Sequence, residues 1–214
     1  MAVQEELRPL VDLVGPGPTA PATVAGLDVA YAQSGDLLAA AVTVLDARTL
    51  AVVDSAVSVG RPAFGYVPGL FAFRELPALL AALDRLSTRP DLLVCDGHGL
   101  AHPRRFGLAC HLGVVTGLPA IGVGKTPLVG QWDPPPAERG AWSPLRDGDL
   151  HLAALDAVAV WEHVLYEVRR DVDALAQAED RTLTARERAI TNGIRLREQR
   201  LFWQALQSTY EEQS

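Results

Sequence analysis

Apolar residues follow two periods along this chain, a strand-like period at first and a helix-like period near the end. In the first part, short apolar runs are separated by turns that contain Gly, Ser, Asp or Pro. Five of these runs predict strands, at about 23–31, 38–45, 50–59, 92–95 and 120–123. The first three strands follow each other with short turns between them, which predicts an antiparallel meander.

Helical patterns lie beside these strands. They predict helices over 5–14, 70–86 and 106–116. Three hairpin strands followed by alternating helix and strand predict an α/β fold, with a mixed sheet flanked by helices. This arrangement is similar to that of ribonuclease H-like domains. A loop-rich stretch is predicted further on, where Pro134-Pro135-Pro136 and Trp142-Ser143-Pro144 occur.

The pattern changes at about Leu150. Apolar residues then recur at alternating spacings of three and four, at Val158, Trp161, Leu165, Val168, Val172 and Leu175. These positions form a helical heptad pattern, and Thr184-Ala185-Arg186-Glu187 matches a capping box that begins a second helix. We therefore predict a main domain over 1–149 and an atypical helical hairpin over 150–214. The pattern leaves open whether the hairpin packs on the main domain or associates with another chain.

Composition indicates a soluble globular protein. Apolar residues make up 49% and charged residues 21% of the chain, and no apolar run approaches the length of a membrane span. The acidic first residues do not resemble a signal peptide, so we expect a cytoplasmic protein with no membrane partner. The two cysteines, Cys95 and Cys110, form no disulfide framework, and the position of Cys95 within an apolar run predicts a small buried side chain rather than a reactive thiol. A net charge of −7 argues against non-specific polyanion binding, but not against a nuclease with a local basic rim.

Three carboxylates stand at positions where they can share a site. Asp28 interrupts the first predicted strand, Asp96 ends the fourth, and Glu75 lies in a predicted helix. Gathered carboxylates repel one another, and a bound hard cation removes that cost. The three together therefore predict a site for Mg²⁺, with Mn²⁺ as an alternative ion. A metal so held activates water and stabilises a departing alkoxide.

A loop rich in glycine and basic residues follows Asp96. It contains Asp96-Gly97-His98-Gly99 and then His102-Pro103-Arg104-Arg105. Open α/β sheets bind ligands at the carboxyl ends of their strands, glycines allow close approach of the backbone, and arginines suit phosphate. The alternative is a strand that ends in a turn, with a solvated aspartate and a surface patch of arginines.

Lys125 is the only lysine in the chain. Its compact charge after a predicted strand suits electrostatic support of a phosphoryl transition state, although the survival of a single lysine also arises by chance. Tyr66-Val67-Pro68-Gly69 predicts a stiff loop with an aromatic tip, suited to stacking on a base or wedging into a duplex. A tyrosine packed on its own domain is equally compatible with this motif.

Four motifs together resemble the endonuclease V family. They are Gly26-Leu27-Asp28-Val29-Ala30-Tyr31, Tyr66-Val67-Pro68-Gly69 with Phe73-Arg74-Glu75, Asp96-Gly97-His98-Gly99 with Ala101-His102-Pro103-Arg104, and Ile121-Gly122-Val123-Gly124-Lys125-Thr126. The resemblance covers about residues 3–149 and does not extend to the carboxyl-terminal part. It implies a ribonuclease H-like fold and a Mg²⁺-dependent nuclease that recognises deoxyinosine in DNA. Cleavage is then expected at the second phosphodiester bond 3′ to the lesion, leaving a 3′-hydroxyl and a 5′-phosphate.

The resemblance also implies roles for individual residues. Asp28, Glu75 and Asp96 match metal-binding carboxylates, and Lys125 matches a catalytic lysine near the scissile phosphate. Contacts with DNA are implied at the strand-separating wedge, around the flipped hypoxanthine and at the phosphate, for Tyr66, Pro68, Gly69, Gly97, Gly99, His102 and Lys125. Gly65 stands where the family often has proline, and the segment that supplies a final metal-site side chain is not found in this sequence.

We therefore expect a DNA repair endonuclease whose partner is DNA containing deoxyinosine or mismatches. Two alternatives stay open. One is a catalytically weak lesion- or structure-specific nucleic-acid-binding protein, whose helical tail over 150–214 serves in oligomerisation or binds a partner. The other is an inosine-specific endoribonuclease that acts on inosine-containing RNA.

Overall fold

A computed structural model describes most of the chain up to residue 156. The described residues are 2–14, 17–31, 37–62, 64–65, 67, 69–124, 126–136 and 141–156. They contain a five-stranded sheet with helices beside it and a separate two-stranded hairpin. No helix within these ranges is long and apolar enough to cross a membrane.

The five strands of the main sheet are those that the apolar runs predict. They are β1 (Thr23–Tyr31), β2 (Leu38–Asp46), β3 (Val52–Gly60), β4 (Leu92–Asp96) and β5 (Ala120–Val123), in the spatial order β3-β2-β1-β4-β5. Strands β1, β2 and β3 form an antiparallel meander, whereas β4 is parallel to β1 and β5 is parallel to β4. The predicted strands, the meander and the mixed sheet are confirmed.

Three α-helices accompany the sheet in the described ranges. They are α1 (Ala2–Leu7), α2 (Phe71–Leu83) and α3 (Leu108–Thr116). The helices predicted over 70–86 and 106–116 are confirmed as α2 and α3. The helix predicted over 5–14 is wrong at both ends, because α1 begins at Ala2 and gives way to a 3₁₀ turn over Arg8–Leu10. Pro9 has no N–H to donate to the carbonyl of Glu5, so the α-helix cannot continue through it. Gly117, with φ at 65°, ends α3 by donating its N–H to the carbonyl of Gly113.

The main core lies on one face of the sheet. Alternate residues of β1 and β4, among them Leu27, Val29 and Cys95, pack there with apolar residues of α2 and α3. On the same face the buried hydroxyl of Ser58 in β3 donates to the carbonyl of Ala78 in α2, at 2.6 Å. Cys95 is 2% exposed, which confirms the predicted small buried side chain. Burial raises the pKa of its thiol, so Cys95 is no reactive thiolate.

The chain after residue 141 corrects the predictions for the carboxyl-terminal part. Trp142–Asp147 (β6) and Leu150–Asp156 (β7) form an antiparallel hairpin, where a loop and the start of a helix were predicted. The domain boundary predicted between residues 149 and 150 would divide this hairpin. Pro144 is tolerated within β6 because both strands of a two-stranded sheet are edge strands. The heptad pattern from Val158 onward and the capping box at 184–187 lie outside the described residues.

The β6–β7 hairpin packs on the loop that follows β4. Leu145 and Leu152 form a buried cluster with Ala101. The guanidinium of Arg105 also forms an ion pair with the carboxylate of Asp147. These tertiary contacts explain why residues 150–156 form a strand, because packing decides strand formation more than the local sequence does.

Candidate functional site

Asp28 and Asp96 occupy matching positions on neighbouring parallel strands. Strands β1 and β4 pair with Leu27 opposite Cys95, and the two aspartates are the next residue on each strand. Since side chains alternate along a strand, the two carboxylates leave the sheet on the same side. Asp28 is 8% exposed, and its Oδ1 accepts the N–H of Val29 at 2.8 Å. The structure thus brings these two predicted residues together.

Glu75 comes from α2, on the core side of the sheet. It is 3% exposed, and its Oε1 accepts a hydrogen bond from the hydroxyl of Tyr31 at 2.9 Å. The guanidinium of Arg74 lies over the ring of Tyr31, 4.5 Å from the ring centroid. Burial, followed by the charge of Glu75, raises the pKa of Tyr31. The tyrosine hydroxyl therefore keeps its proton and stays a donor to Glu75.

The donor chemistry of the three predicted carboxylates suits a hard divalent cation. Each offers carboxylate oxygens, and those of Asp28 and Glu75 are buried. Within the described ranges, however, no three His, Cys, Asp or Glu side chains are gathered closely enough to hold a metal ion. The three-residue ligand set therefore stays a prediction.

Backbone hydrogen bonds hold the loop over 97–99 from two sides. At the start of α3, the N–H of Gly107 donates to the carbonyl of Gly99 at 3.0 Å. At the end of β5, the carbonyl of Val123 accepts the N–H of Gly97 at 2.9 Å. Gly97 and Gly99, both predicted to contact DNA, therefore belong to a fixed loop directly after Asp96.

Glycine is required on both sides of this loop by close contact. A Cβ atom at Gly107 would lie 2.2 Å from the carbonyl oxygen of His98, and a Cβ atom at Gly122 would lie 2.2 Å from the carbonyl oxygen of Gly97. A Cβ atom at Gly124 would lie 2.3 Å from the His98 ring. A side chain at Gly107 or Gly122 would displace the backbone of the loop, whereas one at Gly124 would displace the His98 ring.

His102 is buried in the loop between β4 and α3, at 6% exposure. Its Nδ1 accepts the N–H of Arg104 at 3.2 Å, so in the neutral ring Nε2 carries the proton. Burial, and then the charges of Arg104 and His98, lower the pKa of His102 to about 4, against a smaller raising effect of a hydrogen bond with the backbone of Gly69. His102 is therefore neutral at pH 7.

Gly69 is joined to this loop by two long side chains. Nε2 of Gln4 donates to the carbonyl of Gly69 at 3.2 Å and to the carbonyl of Phe106 at 3.1 Å. Nη2 of Arg104 donates to the same Gly69 carbonyl at 2.5 Å. The φ angle of Gly69 is 77°, and a Cβ atom there would lie 2.5 Å from Nη2 of Arg104.

Three predicted site residues, Tyr66, Pro68 and Lys125, lie outside the described residues, and their roles stay predictions. The described residue between the first two, Val67, is 43% exposed. Its carbonyl accepts the N–H of Leu70 at 3.0 Å, in the turn that leads into α2.

The motifs did not identify Gln4, Gly107 or Gly122 as residues of the site. Gln4 precedes the helix that was predicted over 5–14, and only its uncharged side chain beside Glu5 and Glu6 sets it apart. Gly122 lies within the fourth motif and Gly107 follows shortly after the third, so both glycines could be read from the sequence. The atoms that they approach depend on the packing of α3 and β5 against the loop, which no local pattern encodes.

Comparison with known proteins gives a family match over most of the chain. The model of the endonuclease V family matches residues 5–164. The predicted resemblance to this family is confirmed, and the match extends beyond the expected end at about 149 to include the β6–β7 hairpin. Endonuclease V of Streptomyces coelicolor is 60% identical over 149 residues, which are 69% of this chain and 64% of that protein. The chain thus spans less than two thirds of the length of that relative.

Solved structures agree with this match. Endonuclease V from Streptomyces avermitilis superimposes with a TM-score of 0.68 and 53% sequence identity, over 73% of this chain and 71% of that chain. Ciona intestinalis endonuclease V, in complex with a 23mer DNA containing an inosine followed by a ribo-adenosine, gives a TM-score of 0.55 and 28% identity. That match covers 61% of this chain and 57% of the other.

Proposed function

This chain belongs to the endonuclease V family, and we propose that it is a DNA repair endonuclease that recognises deoxyinosine. In this proposal it cleaves the second phosphodiester bond 3′ to the lesion by metal-dependent hydrolysis. The observation that carries it is the fixed glycine loop over 97–99, directly after a carboxylate at the end of β4. The inosine-containing DNA bound by the related Ciona protein supports the same substrate.

We propose that Asp28 and Asp96, with Glu75, hold Mg²⁺ or, as a substitute, Mn²⁺. Carboxylate oxygens at neighbouring positions of β1 and β4 support this assignment, since hard cations prefer oxygen ligands. The chemistry that the ion supplies when bound is Lewis-acid stabilisation of charge on a phosphodiester oxygen. The hydroxyl of Tyr31 orients the Glu75 carboxylate by donating to one of its oxygens. Lys125 is proposed to add positive charge beside the scissile phosphate.

The proposed base pocket uses backbone more than side chains. Enzymes that inspect a base take it out of the stack and read its edge by hydrogen bonds. Gly97 and Gly99 have no side chain to obstruct a base plane, and their loop is fixed before DNA arrives. His102 is neutral at pH 7, so it offers the neutral hypoxanthine a polar neighbour without a charge. Tyr66, Pro68 and Gly69 are proposed to form the wedge that separates the strands.

Two proposals about architecture accompany this function. The strand order is β3-β2-β1-β4-β5, and β2 alone runs opposite to the other four strands. This arrangement supports a ribonuclease H-like fold. We also propose that the nuclease domain comprises the part up to about 149 together with β7, and that the remaining residues up to 214 form a helical extension. Its heptad pattern supports self-association or a contact with the nuclease domain.

A nicking assay tests the proposed function. The substrates are duplexes that differ at one position, deoxyinosine or deoxyadenosine, with Mg²⁺ or with a chelator. We expect a Mg²⁺-dependent nick in the inosine strand only, at the second bond 3′ to the lesion. Asp96→Asn keeps the size of the side chain and removes its charge, so we expect a loss of about 100-fold or more. The matched control is Asp149→Asn in the exposed turn between β6 and β7, which should cut at the wild-type rate.

The result can contradict the mechanism and the substrate separately. If Asp96→Asn cuts as fast as the wild type, the mechanism is wrong. If the wild type cuts inosine and adenosine duplexes equally, the substrate assignment is wrong.

Two observations favour alternative functions, and the same substrates distinguish them. The lack of three gathered ligands among the described residues favours a catalytically weak lesion-binding protein. That protein would retain inosine-containing DNA in a gel-shift assay and leave it uncut in Mg²⁺. The ribo-adenosine in the DNA bound by the Ciona protein favours an inosine-specific endoribonuclease. That enzyme would cut the matched inosine-containing RNA strand faster than the DNA strand.

A further inference from the structure

We propose that Gln4 and Arg104 are positioning residues that fix the carbonyl of Gly69, and so set the distance between the wedge loop and the base pocket. This inference rests on the proposed function for the meaning of those two parts. The arrangement itself stands on contacts among described residues that belong to three separate parts of the chain, which are α1, the turn before α2 and the loop after β4.

The first observation is that α1 packs on the domain through a polar side chain. Gln4 is 1% exposed and is the only buried residue of α1. Helices ordinarily dock through apolar residues, because a buried amide is favourable only when its hydrogen bonds are made. Those of Gln4 are made, since Nε2 donates to the carbonyls of Gly69 and Phe106, and Oε1 accepts the N–H of Arg104 Nε at 2.5 Å.

The second observation is that Arg104 uses two nitrogens of its planar guanidinium. Nε donates to Gln4, and Nη2 donates to the carbonyl of Gly69, each at 2.5 Å. The fork geometry of arginine suits two such acceptors, whereas the single ammonium of lysine does not reproduce it. The Gly69 carbonyl thus accepts from both side chains, and His102 also forms a hydrogen bond with the backbone of Gly69.

The third observation is that Gly69 is fitted to the guanidinium. Its φ of 77° favours glycine, and a Cβ atom would meet Nη2 of Arg104 at 2.5 Å. The local backbone therefore calls for glycine at this point, and a larger residue would also displace the Arg104 guanidinium from the Gly69 carbonyl. Gly69 lies in the turn that leads into α2, so fixing its carbonyl fixes the end of the wedge loop, which is the segment over 66–69.

The consequence for the proposed function is geometric. Gln4 also holds the carbonyl of Phe106, which is 0% exposed and ends the loop that carries His102. One glutamine thus joins the wedge side of the site to the pocket side. A misplacement of about 1 Å in such an arrangement costs about 100-fold in rate, although no group that touches the reacting atoms is changed.

The test uses the full chain with Gln4→Leu and, separately, Arg104→Lys. Leucine fills a similar space without donors or acceptors, and lysine keeps the charge without the fork. The matched control is Gln131→Leu, at an exposed glutamine whose backbone alone pairs with Arg146. Cleavage of the deoxyinosine duplex is measured well below the unfolding temperature of each variant. Amide hydrogen exchange is measured without DNA, in the peptide over 69–75.

We expect kcat to fall about 10- to 100-fold in both variants while KM changes less than threefold, because phosphate contacts elsewhere dominate affinity. Exchange in 69–75 should be faster in both variants than in the Gln131→Leu control. A purely structural role for Gln4 would lower the unfolding temperature and leave kcat of the folded enzyme unchanged, and that result overturns the inference. Unchanged exchange overturns it as well. The wild type could fail to cut the inosine duplex while hydrogen exchange in 69–75 is faster in both variants. In that case the proposed function is wrong, but the inference that Gln4 and Arg104 fix the Gly69 carbonyl is supported.

Discussion

A methyl group at Gly122 has no room unless the loop over 97–99 moves. Its Cβ would lie 2.2 Å from the carbonyl oxygen of Gly97, 3.0 Å from the nitrogen of Gly99 and 3.0 Å from the carbonyl carbon of His98. All three neighbours are backbone atoms, so no side chain can rotate away to relieve the contact. We therefore choose Gly122→Ala as the sharpest single test of how this site is held.

The magnitude follows from the contact distances. Restoring even a tight carbon–oxygen contact requires a movement of about 1 Å, and overpacking of this kind costs about 1–3 kcal/mol. In a domain of this size, about 2 kcal/mol lowers the unfolding temperature by about 4–8 °C. The loop that must move carries Gly97 and Gly99 and begins next to Asp96. A displacement of about 1 Å there is expected to cost about 100-fold in cleavage of the inosine duplex.

The assay is thermal unfolding and inosine-duplex cleavage of Gly122→Ala beside Gly60→Ala. Gly60 ends β3, has ordinary φ, and would place its Cβ atom in open space, so the control makes the same chemical change without a contact. We expect the control to unfold within about 0.5 kcal/mol of the wild type and to cleave normally. If Gly122→Ala also unfolds and cleaves like the wild type, then close contact with Gly122 does not hold the loop, and the reasoning from Cβ distances is refuted.

The remaining predictions concern pH and the β6–β7 hairpin. Burial lowers the pKa of His102 from 6.5 to about 4 and also lowers the pKa of His111 from 6.5. Below about pH 6.5 the unfolded chain therefore binds more protons at these two residues than the folded chain does. Their contribution to stability is present above pH 6.5 and is lost as the pH falls. Urea unfolding should show a loss of about 1–2 kcal/mol from pH 7.5 to 5 that His102→Gln reduces and His151→Gln, at an exposed position, does not. Leu145→Ala should cost about 2–5 kcal/mol and Leu150→Ala less than about 0.5 kcal/mol, because they are 1% and 60% exposed; equal costs would contradict the docking of the hairpin.

The strands and two of the carboxylates could be predicted because each depends on local information. The run from Leu38 to Leu45 is apolar throughout, and β2 is buried along nearly its whole length. Asp28 and Asp96 interrupt or end apolar runs, so their place near the end of a strand was readable. That β4 lies beside β1, and not beside β3 which precedes it in the chain, depends on the topology of the whole sheet. The pairing of the two aspartates therefore needed the structure, although the position of each at a strand end did not.

The face of the sheet that α2 covers could not be predicted. The helical period identifies Ala72, Leu76 and Leu79 as a buried stripe of α2. It does not say which face of the sheet that stripe covers, because a helix after a strand can cross either face until the whole topology is known. Likewise, β6 and β7 form because Leu145 of one strand and Leu152 of the other are buried together against Ala101. Tertiary packing overrides the local pattern there.

Two different kinds of constraint hold the proposed pocket, and they restrict the sequence differently. Gly107 and Gly122 make room for the carbonyls of His98 and Gly97 by lacking a side chain, so any larger residue disturbs the loop. Gln4 acts instead through donors and an acceptor, and another arrangement of polar atoms could meet the same need. The direction in which the loop leaves Asp96 is therefore set by the backbones of β5 and α3. The position of Gly69 is set by hydrogen bonds, which are the weaker constraint. Substitutions of these glycines should consequently lower the stability of the fold and distort the pocket together. Substitutions of Gln4 should first change the position of the wedge relative to the pocket.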